Sequence, residues 1–160
     1  MSLLRAKEHL KKYGFEDKIM EFAASSATVT EAAAAIGCKE CEIAKTLSFT
    51  ISDKPILIVV AGDARIDNRK FKDEFFEKAK MIAFEDVEPL IGHAVGGVCP
   101  FGINDGVDVY LDNSLKRFDI IYPACGSSNS AVNLTLKELE TASEFKKWVD
   151  VCKDVSQNGE

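Results

Sequence analysis

Alternating apolar and polar positions in the middle of the chain predict a β-hairpin. AKTLSFTI and PILIVVA are rich in β-branched and aromatic residues, and Ser52-Asp53-Lys54-Pro55 separates them. Because neighbouring strand residues point to opposite faces, five residues of the first strand share one face: Ile43, Lys45, Leu47, Phe49 and Ile51.

The rest of the chain alternates between helical and strand-like segments. Helices are predicted at 3–13, 17–24, 30–37, 85–91, 135–139 and 143–153, with a further one that Asp67 or Asn68 caps and that carries Phe71, Phe75 and Phe76. Further strands are predicted at 81–84, 107–111, 118–125 and 130–136. The tail beyond residue 154 is polar, and we expect it to fray.

This order of elements predicts a mixed α/β (α+β) fold. Strands outnumber crossover helices in the second half, which favours a curled, barrel-like mixed β-sheet surrounded by helices over a doubly wound parallel sheet. Because the chain has 160 residues and neither an internal repeat nor a linker, we expect one domain spanning residues 1–160.

Composition limits the possible partners. The chain is 46% hydrophobic and carries a net charge of −6, so it has no overall positive field to attract DNA or an anionic membrane. The N-terminus becomes charged within five residues, which is untypical of a signal peptide or a membrane span. Five scattered cysteines indicate reduced thiols. These features predict a soluble, cytoplasmic protein.

Two cysteine arrangements leave alternatives open. Cys38 and Cys41 form a CxxC pair, which is a redox pair, half of a zinc site or a solvent-side turn. We expect no metal, since zinc needs about four ligands and His9 and His93 are far apart in sequence. His93 and Cys99 could form a nucleophilic dyad, although nothing marks a third, orienting group.

Lys45 is unusual because it falls on the apolar face of its strand. Burying an unpaired ammonium group is costly, so this lysine must reach a cavity, a carboxylate or an anionic ligand. The alternative is that it extends to solvent, or that the strand register slips by one residue.

The segment 92–102, GHAVGGVCPFG, holds four glycines and a proline and no charged residue other than, at low pH, its histidine. Such a segment exposes backbone groups to a ligand, or it simply connects two strands tightly. A basic run, Arg65, Arg69, Lys70 and Lys72, is either a solvated face or the first place to look for contact with nucleic acid. Phosphate-loop, dinucleotide, serine-hydrolase and zinc-peptidase motifs are absent from the sequence.

Four motifs in order, EIAKTLSF, VVAGDARIDNRKF, GHAVGGVCPFG and ACGSSNSAVNLTLKEL, resemble the YbaK/prolyl-tRNA synthetase editing-domain family of aminoacyl-tRNA deacylases. The resemblance covers about residues 25–140. It implies hydrolysis, without a cofactor, of the ester that joins a wrong amino acid to the 3′-terminal adenosine of a tRNA. It also implies an acceptor-end substrate, and an aminoacyl-tRNA synthetase as a possible partner.

The resemblance further implies one site in which Lys45 and the GxxxP loop, residues 96–100, share a pocket. Lys45 and the Gly96 backbone would be the catalytic groups, with weak tRNA contacts from Arg65, Arg69 and Lys70. The expected substrate-binding residues are Thr46, Gly97, Val98, Cys99, Pro100, Gly126, Ser127, Ser128 and Asn129.

Two departures from the family pattern leave the amino acid open. Cys99 stands where many members carry Ser or Thr, and the last motif reads GSSNS. A small residue such as Cys or Ala on tRNA(Pro) is the expected substrate. The alternative function is a non-catalytic module that binds an amino acid or aminoacyl-tRNA; the presence of both Lys45 and the GxxxP loop favours the enzyme.

Overall fold

The computed structural model describes residues 2–154. It shows a mixed β-sheet with helices around it. The helices are α1 (Ser2–Lys11), α2 (Val29–Ile36), α3 (Asn68–Phe75), α4 (Phe84–Ile91) and α5 (Leu136–Ser143). The strands are β1 (Ile19–Glu21), β2 (Ile43–Ile51), β3 (Lys54–Ala61), β4 (Asp108–Asp112), β5 (Ile120–Pro123), β6 (Ser130–Val132), β7 (Leu134–Thr135) and β8 (Lys147–Val149).

Six strands pair in the order β7-β5-β2-β3-β4-β8, and β1 pairs with β6 in a separate ribbon. The β2/β3 and β5/β7 pairs are antiparallel, whereas β2/β5, β3/β4 and β4/β8 are parallel. The larger sheet curls into a half-barrel. The mixed α/β fold with a curled, mixed sheet is therefore confirmed.

The hairpin of β2 and β3 is confirmed, and its turn is tight. Ile51 pairs with Lys54, so only Ser52 and Asp53 connect the strands. Both turn residues have positive φ, 50° and 65°, as a type I′ turn requires. From Ile56 onwards β3 is wholly buried, because strands and helices cover both of its faces.

Helix α3 packs its apolar face into the core as predicted. Asp67 caps it by accepting a hydrogen bond from the Lys70 amide, and Phe71 is fully buried with its ring centroid 5.0 Å from that of Phe49. Phe76 differs from the prediction, since it lies just beyond the helix and is 87% exposed. It therefore does not share the core face with Phe71.

Three predicted elements are wrong, and in two of them strand pairing overrides a helical pattern. Residues 17–24 form a short 3₁₀ turn followed by β1, which pairs with β6. Residues 143–153 contain β8, which extends the sheet beside β4. The strand predicted at 81–84 reduces to one bridge between Met81 and Phe49, and α4 begins at Phe84. Propensity is a weak guide where tertiary pairing decides.

Candidate active site

A small, mostly apolar cavity lies between β2 and the segment 92–102, which we call the glycine loop. Its volume is about 190 Å³. It is lined by Thr46, Leu47, Ser48, Met81, Val87, Val95, Gly96 and Val98. Thr46, Gly96 and Val98 were predicted site residues, and the fold brings them together from two segments about 50 residues apart in the chain.

The Thr46 hydroxyl is the most telling group in this cavity. Its Oγ1 atom is buried and has no hydrogen-bond partner among residues 2–154. A buried hydroxyl without a partner costs about 1–3 kcal/mol, so such groups are rare in folded proteins. Because this hydroxyl belongs to a residue that borders a cavity, a bound molecule can satisfy it.

The backbone of the glycine loop is partly engaged and partly available. The Gly97 amide donates to the Ala94 carbonyl at 3.0 Å, and the Gly97 carbonyl accepts from the Gly126 amide at 3.0 Å. The amides of Gly96 and Val98, by contrast, donate to no group within the described chain. Gly97 is thus a structural residue in this loop, and Gly96 and Val98 carry the available donors.

The turn 126–129 packs behind the glycine loop and explains its two adjacent glycines. A Cβ atom at Gly97 would lie 2.6 Å from the Ser127 amide nitrogen. At Gly96, φ is +100° and a Cβ would lie 3.2 Å from that of Ala27 and 3.7 Å from that of Ser128. Neither position accepts a larger residue without a shift of the surrounding backbone or side chains.

The predicted substrate-binding residues Gly126, Ser127, Ser128 and Asn129 therefore support the loop and do not line the cavity. Ser127 Oγ lies 2.6 Å from Ser130 Oγ. The Asn129 amide group donates to the Phe22 carbonyl at 2.9 Å. These bonds hold the turn in place against the glycine loop.

Lys45 does not line this cavity, although the next three residues of β2, Thr46, Leu47 and Ser48, do. Burial lowers the pKa of Lys45 below its usual value; the nearby Arg65 also lowers it, while Cys152 and Asp63 oppose the shift. Its side chain makes no ion pair with any residue from 2 to 154. The expectation that Lys45 and residues 96–100 would border one pocket is not met by this cavity.

Asp63, the carboxylate whose charge acts on Lys45, already forms an ion pair with another residue. Asp63 binds Arg117 through two bonds, Oδ1 to Nη2 at 2.6 Å and Oδ2 to Nη1 at 3.1 Å. The Arg117 side chain is only 6% exposed and that of Asp63 is 25% exposed, so this is a partly buried bidentate pair. Lys45 is left as a half-buried cation that an anionic ligand could neutralise.

Cys99 and Pro100 lie on the far side of the glycine loop from the cavity. Cys99 is fully buried, with its Sγ atom 3.5 Å from His93 Nε2. Burial raises the pKa of the Cys99 thiol and lowers that of His93, so both groups stay neutral. The thiolate is the nucleophilic form of cysteine; the pair is therefore part of the core and not an activated dyad.

The predicted weak tRNA contacts divide into two kinds. Arg65 and Arg69 are exposed, and neither side chain makes an ion pair within the described residues. Lys70 instead bonds to Asp150 and Asp154, both at 3.2 Å, and to the Cys152 carbonyl at 2.9 Å. Lys70 is thus held by the chain itself.

The CxxC pair lies at the edge of the core. Cys38 is half-buried and Cys41 buried; burial raises the pKa of Cys38 to about 11. No group of three or more His, Cys, Asp or Glu side chains between residues 2 and 154 is arranged to hold a metal ion. In the same part of the chain, none of the helices is both long and apolar enough to cross a membrane.

A larger cleft of about 580 Å³ lies between α1 and the segment 100–107. Three of its charged groups pair with one another: Glu144 lies 3.6 Å from His9 and 3.7 Å from Lys12. Arg5 donates to Asn104 at 3.1 Å. Pro100 lines this cleft and not the smaller cavity.

Sequence reasoning missed five residues that complete the cavity: Leu47, Ser48, Met81, Val87 and Val95. Met81 and Val95 are exposed by 59% and 48%. The signal in the sequence was the apolar run at 81–84, whose bridge to Phe49 brings Met81 alongside β2.

Comparison with known proteins identifies a family and several relatives of this chain. The profile of the aminoacyl-tRNA editing domain family matches residues 23–142. The chain is 51% identical over 155 residues to the uncharacterized protein YwhH of Bacillus subtilis (strain 168), covering 96% of this chain and 99% of YwhH. It is also 22% identical over 124 residues to a proline–tRNA ligase of Bacillus cytotoxicus, covering 77% of this chain and 22% of the ligase.

Solved structures share the whole fold. One described as a candidate trans-editing enzyme for prolyl tRNA synthetase superposes with a TM-score of 0.85 at 30% identity, covering 96% of this chain and 98% of that one. A hypothetical protein superposes with a TM-score of 0.83 at 26% identity, covering 93% and 99%. With the family profile spanning three quarters of its length, this chain belongs to the aminoacyl-tRNA editing domain family.

Proposed function

We propose that this protein is a trans-editing hydrolase that removes a small amino acid, such as Ala or Cys, from mischarged tRNA(Pro) in the cytoplasm. Residues 1–160 would act as one catalytic domain. The observation that carries this proposal is the unpartnered, buried Thr46 hydroxyl on a cavity bordered by the glycine loop. Membership of the editing-domain family supports the reaction class.

The chemistry suits a site without a strong nucleophile. An aminoacyl ester is already activated, so the protein must position a water, orient the carbonyl and stabilise negative charge. The water oxygen bonds to the ester carbon, the bond to the ribose oxygen breaks, and that oxygen takes a proton. Free amino acid and tRNA with an intact 3′ end result.

Each group of the site has a role in this reaction. The Thr46 hydroxyl holds the water or the substrate amino group, and the amides of Gly96 and Val98 donate to the developing oxyanion. The apolar walls of a cavity of about 190 Å³ accept a small side chain. Lys45 of β2 and Arg65, which follows β3, bind the terminal phosphate.

Charged tRNA tests the proposal directly. We expect the full chain to cleave Ala- or Cys-tRNA(Pro) at least tenfold faster than buffer and to leave Pro-tRNA(Pro) intact. Lys45→Ala should lose at least tenfold in kcat/KM, while Lys137→Ala, which removes an exposed lysine from α5, should not. The measurement is the release of labelled amino acid over time.

Three outcomes would contradict parts of the proposal. If no ester is cleaved faster than in buffer, but charged tRNA still binds, the protein is a binding module. Cleavage of Pro-tRNA(Pro) at the same rate as Ala-tRNA(Pro) would contradict the editing role. Unchanged kcat/KM in Lys45→Ala would remove Lys45 from the site.

A further inference from the structure

The segment 63–80 presents cations that the chain does not neutralise. Arg69, Lys72 and Lys78 border a groove of about 520 Å³ with Asn68 and Ala79. None of these three cationic side chains makes an ion pair or a hydrogen bond with another residue between 2 and 154. Lysines elsewhere, such as those at positions 7, 18, 146 and 147, are paired with acids.

Most acidic side chains of the same segment bind other groups of the protein. Of its five acidic residues, four have partners: Asp63 with Arg117, Asp67 with the first turn of α3, Glu74 with Lys147, and Glu77 with Ser52. Among the described residues, three cations and no acid line the groove, on a chain whose net charge is −6. A polyanion is the ligand that this charge distribution favours.

Phe76 lies between Lys72 and Lys78 in the chain and has an unusual backbone conformation. It follows α3 with φ 63°, in the left-handed region, and its amide donates to the Lys72 carbonyl. Glycine is the usual residue at this position of a helix end. The ring is nevertheless 87% exposed, so core packing does not explain a phenylalanine here.

The segment that borders this groove leads on to the candidate active site. After Lys78, the chain runs along β2: the Thr50 amide donates to the Lys80 carbonyl at 3.0 Å, and the Ile82 amide donates to the Ser48 carbonyl at 3.1 Å. Met81, between them, lines the cavity. Three residues span at most about 11 Å, which is about three stacked nucleotides at roughly 3.4 Å each.

We propose that this groove binds the single-stranded 3′ end of the tRNA, with Arg69, Lys72 and Lys78 on its phosphates and a base stacked on Phe76. The inference rests on the proposed function, because it leads the esterified nucleotide to the cavity. Cationic grooves with exposed aromatic rings are the usual means of binding single-stranded nucleic acid.

Binding of uncharged tRNA(Pro), with and without its 3′-terminal CCA, tests the groove independently of catalysis. Phe76→Gly relieves the left-handed backbone and should keep or raise Tm, yet we expect it to weaken binding of intact tRNA about tenfold, within the range for loss of one stacked base. Phe76→Tyr should bind within twofold of the wild type. Once the CCA is removed, wild type and Phe76→Gly should bind equally.

Salt dependence tests the cations. Changing Lys72 and Lys78 to Gln together should reduce the slope of log K against log salt concentration by about 1.4, since each phosphate contact to a single strand contributes about 0.7. Affinity in 0.1 M salt should then fall about 25-fold. Lys11→Gln with Lys137→Gln removes the same charge from exposed sites on α1 and the start of α5 and should leave the slope unchanged.

The results separate the two proposals. If the tRNA binds as described but no ester is cleaved, the groove stands and the hydrolase fails. If esters are cleaved but Phe76→Gly binds like the wild type, or its defect persists without the CCA, the 3′ end does not stack there. Equal slopes for both lysine pairs would instead indicate a general charge effect and overturn the groove.

Discussion

The two concave sites next to the glycine loop differ in how their polar groups are satisfied. The larger cleft, about 580 Å³, is lined by charged residues that include a paired group, Glu144 with His9 and Lys12. The smaller cavity, about 190 Å³, is mostly apolar and contains one buried hydroxyl, that of Thr46, without a partner among the described residues.

In this protein, an unsatisfied polar group, and not the volume of the cavity, therefore distinguishes the binding site. Folding loses little free energy at the larger cleft, because its groups remain bonded or hydrated. At the smaller cavity the fold keeps a group that costs about 1–3 kcal/mol. A fold retains such an unpartnered group where a bound ligand forms the missing hydrogen bond.

The largest expected contrast between the two sites comes from their glycines. Gly97→Ala should destabilise the fold by about 3 kcal/mol, because its Cβ would overlap the backbone of residues 126–127, and should abolish deacylation. Gly106→Ala, in the larger cleft, meets nothing within 4 Å but has φ +87°; it should cost about 1–2 kcal/mol and leave activity intact. Urea unfolding and deacylation rates measure both, and equal costs would contradict the packing argument.

The next largest difference is expected from removing one hydroxyl group at each of the two sites. Thr46→Val should stabilise the fold by about 1 kcal/mol, since it removes an unpartnered buried hydroxyl, and should reduce kcat/KM roughly tenfold to a hundredfold. Ser143→Ala in the larger cleft removes a hydroxyl that donates to the Glu140 carbonyl, so it should cost about 0.5 kcal/mol without affecting kcat/KM. A Thr46→Val protein that is less stable yet fully active would reverse the comparison.

The smallest effect is expected at the charges of the larger cleft. The hydrogen bond to Glu144 raises the pKa of Tyr13 to about 12, with burial adding to the shift. Because this pKa is raised on folding, the associated stability is present below about pH 10 and is lost as pH rises through about 12. Glu144→Gln should lower the pKa of Tyr13 and cost less than about 1 kcal/mol.

Ultraviolet titration of the tyrosines, together with denaturant curves at pH 8 and pH 11, measures this change. Deacylation at pH 7.5 should be the same in Glu144→Gln and wild type, since the larger cleft has no part in the reaction. A loss of activity would transfer the site to the larger cleft.

The local sequence pattern predicted the structure of segments whose conformation depends mainly on their own residues. The β2/β3 hairpin, the Asp67 cap of α3 and the glycine loop follow from alternation, a capping residue and backbone freedom. The strands within residues 17–24 and 143–153 were not predicted, because each pairs with a strand that is distant in sequence, β6 and β4 respectively. A helical pattern in a short segment is too weak to resist such pairing.

The sequence by itself determined the mixed α/β class and marked Lys45 as an unusual cation, and the family resemblance implied that the glycine loop approaches β2. Only the tertiary structure decided that Thr46, and not Lys45, faces that loop, and that Lys70 is held by Asp150 and Asp154. The reason is physical: alternation orders side chains along one strand, but the face that meets a distant loop depends on how the whole sheet curls and packs.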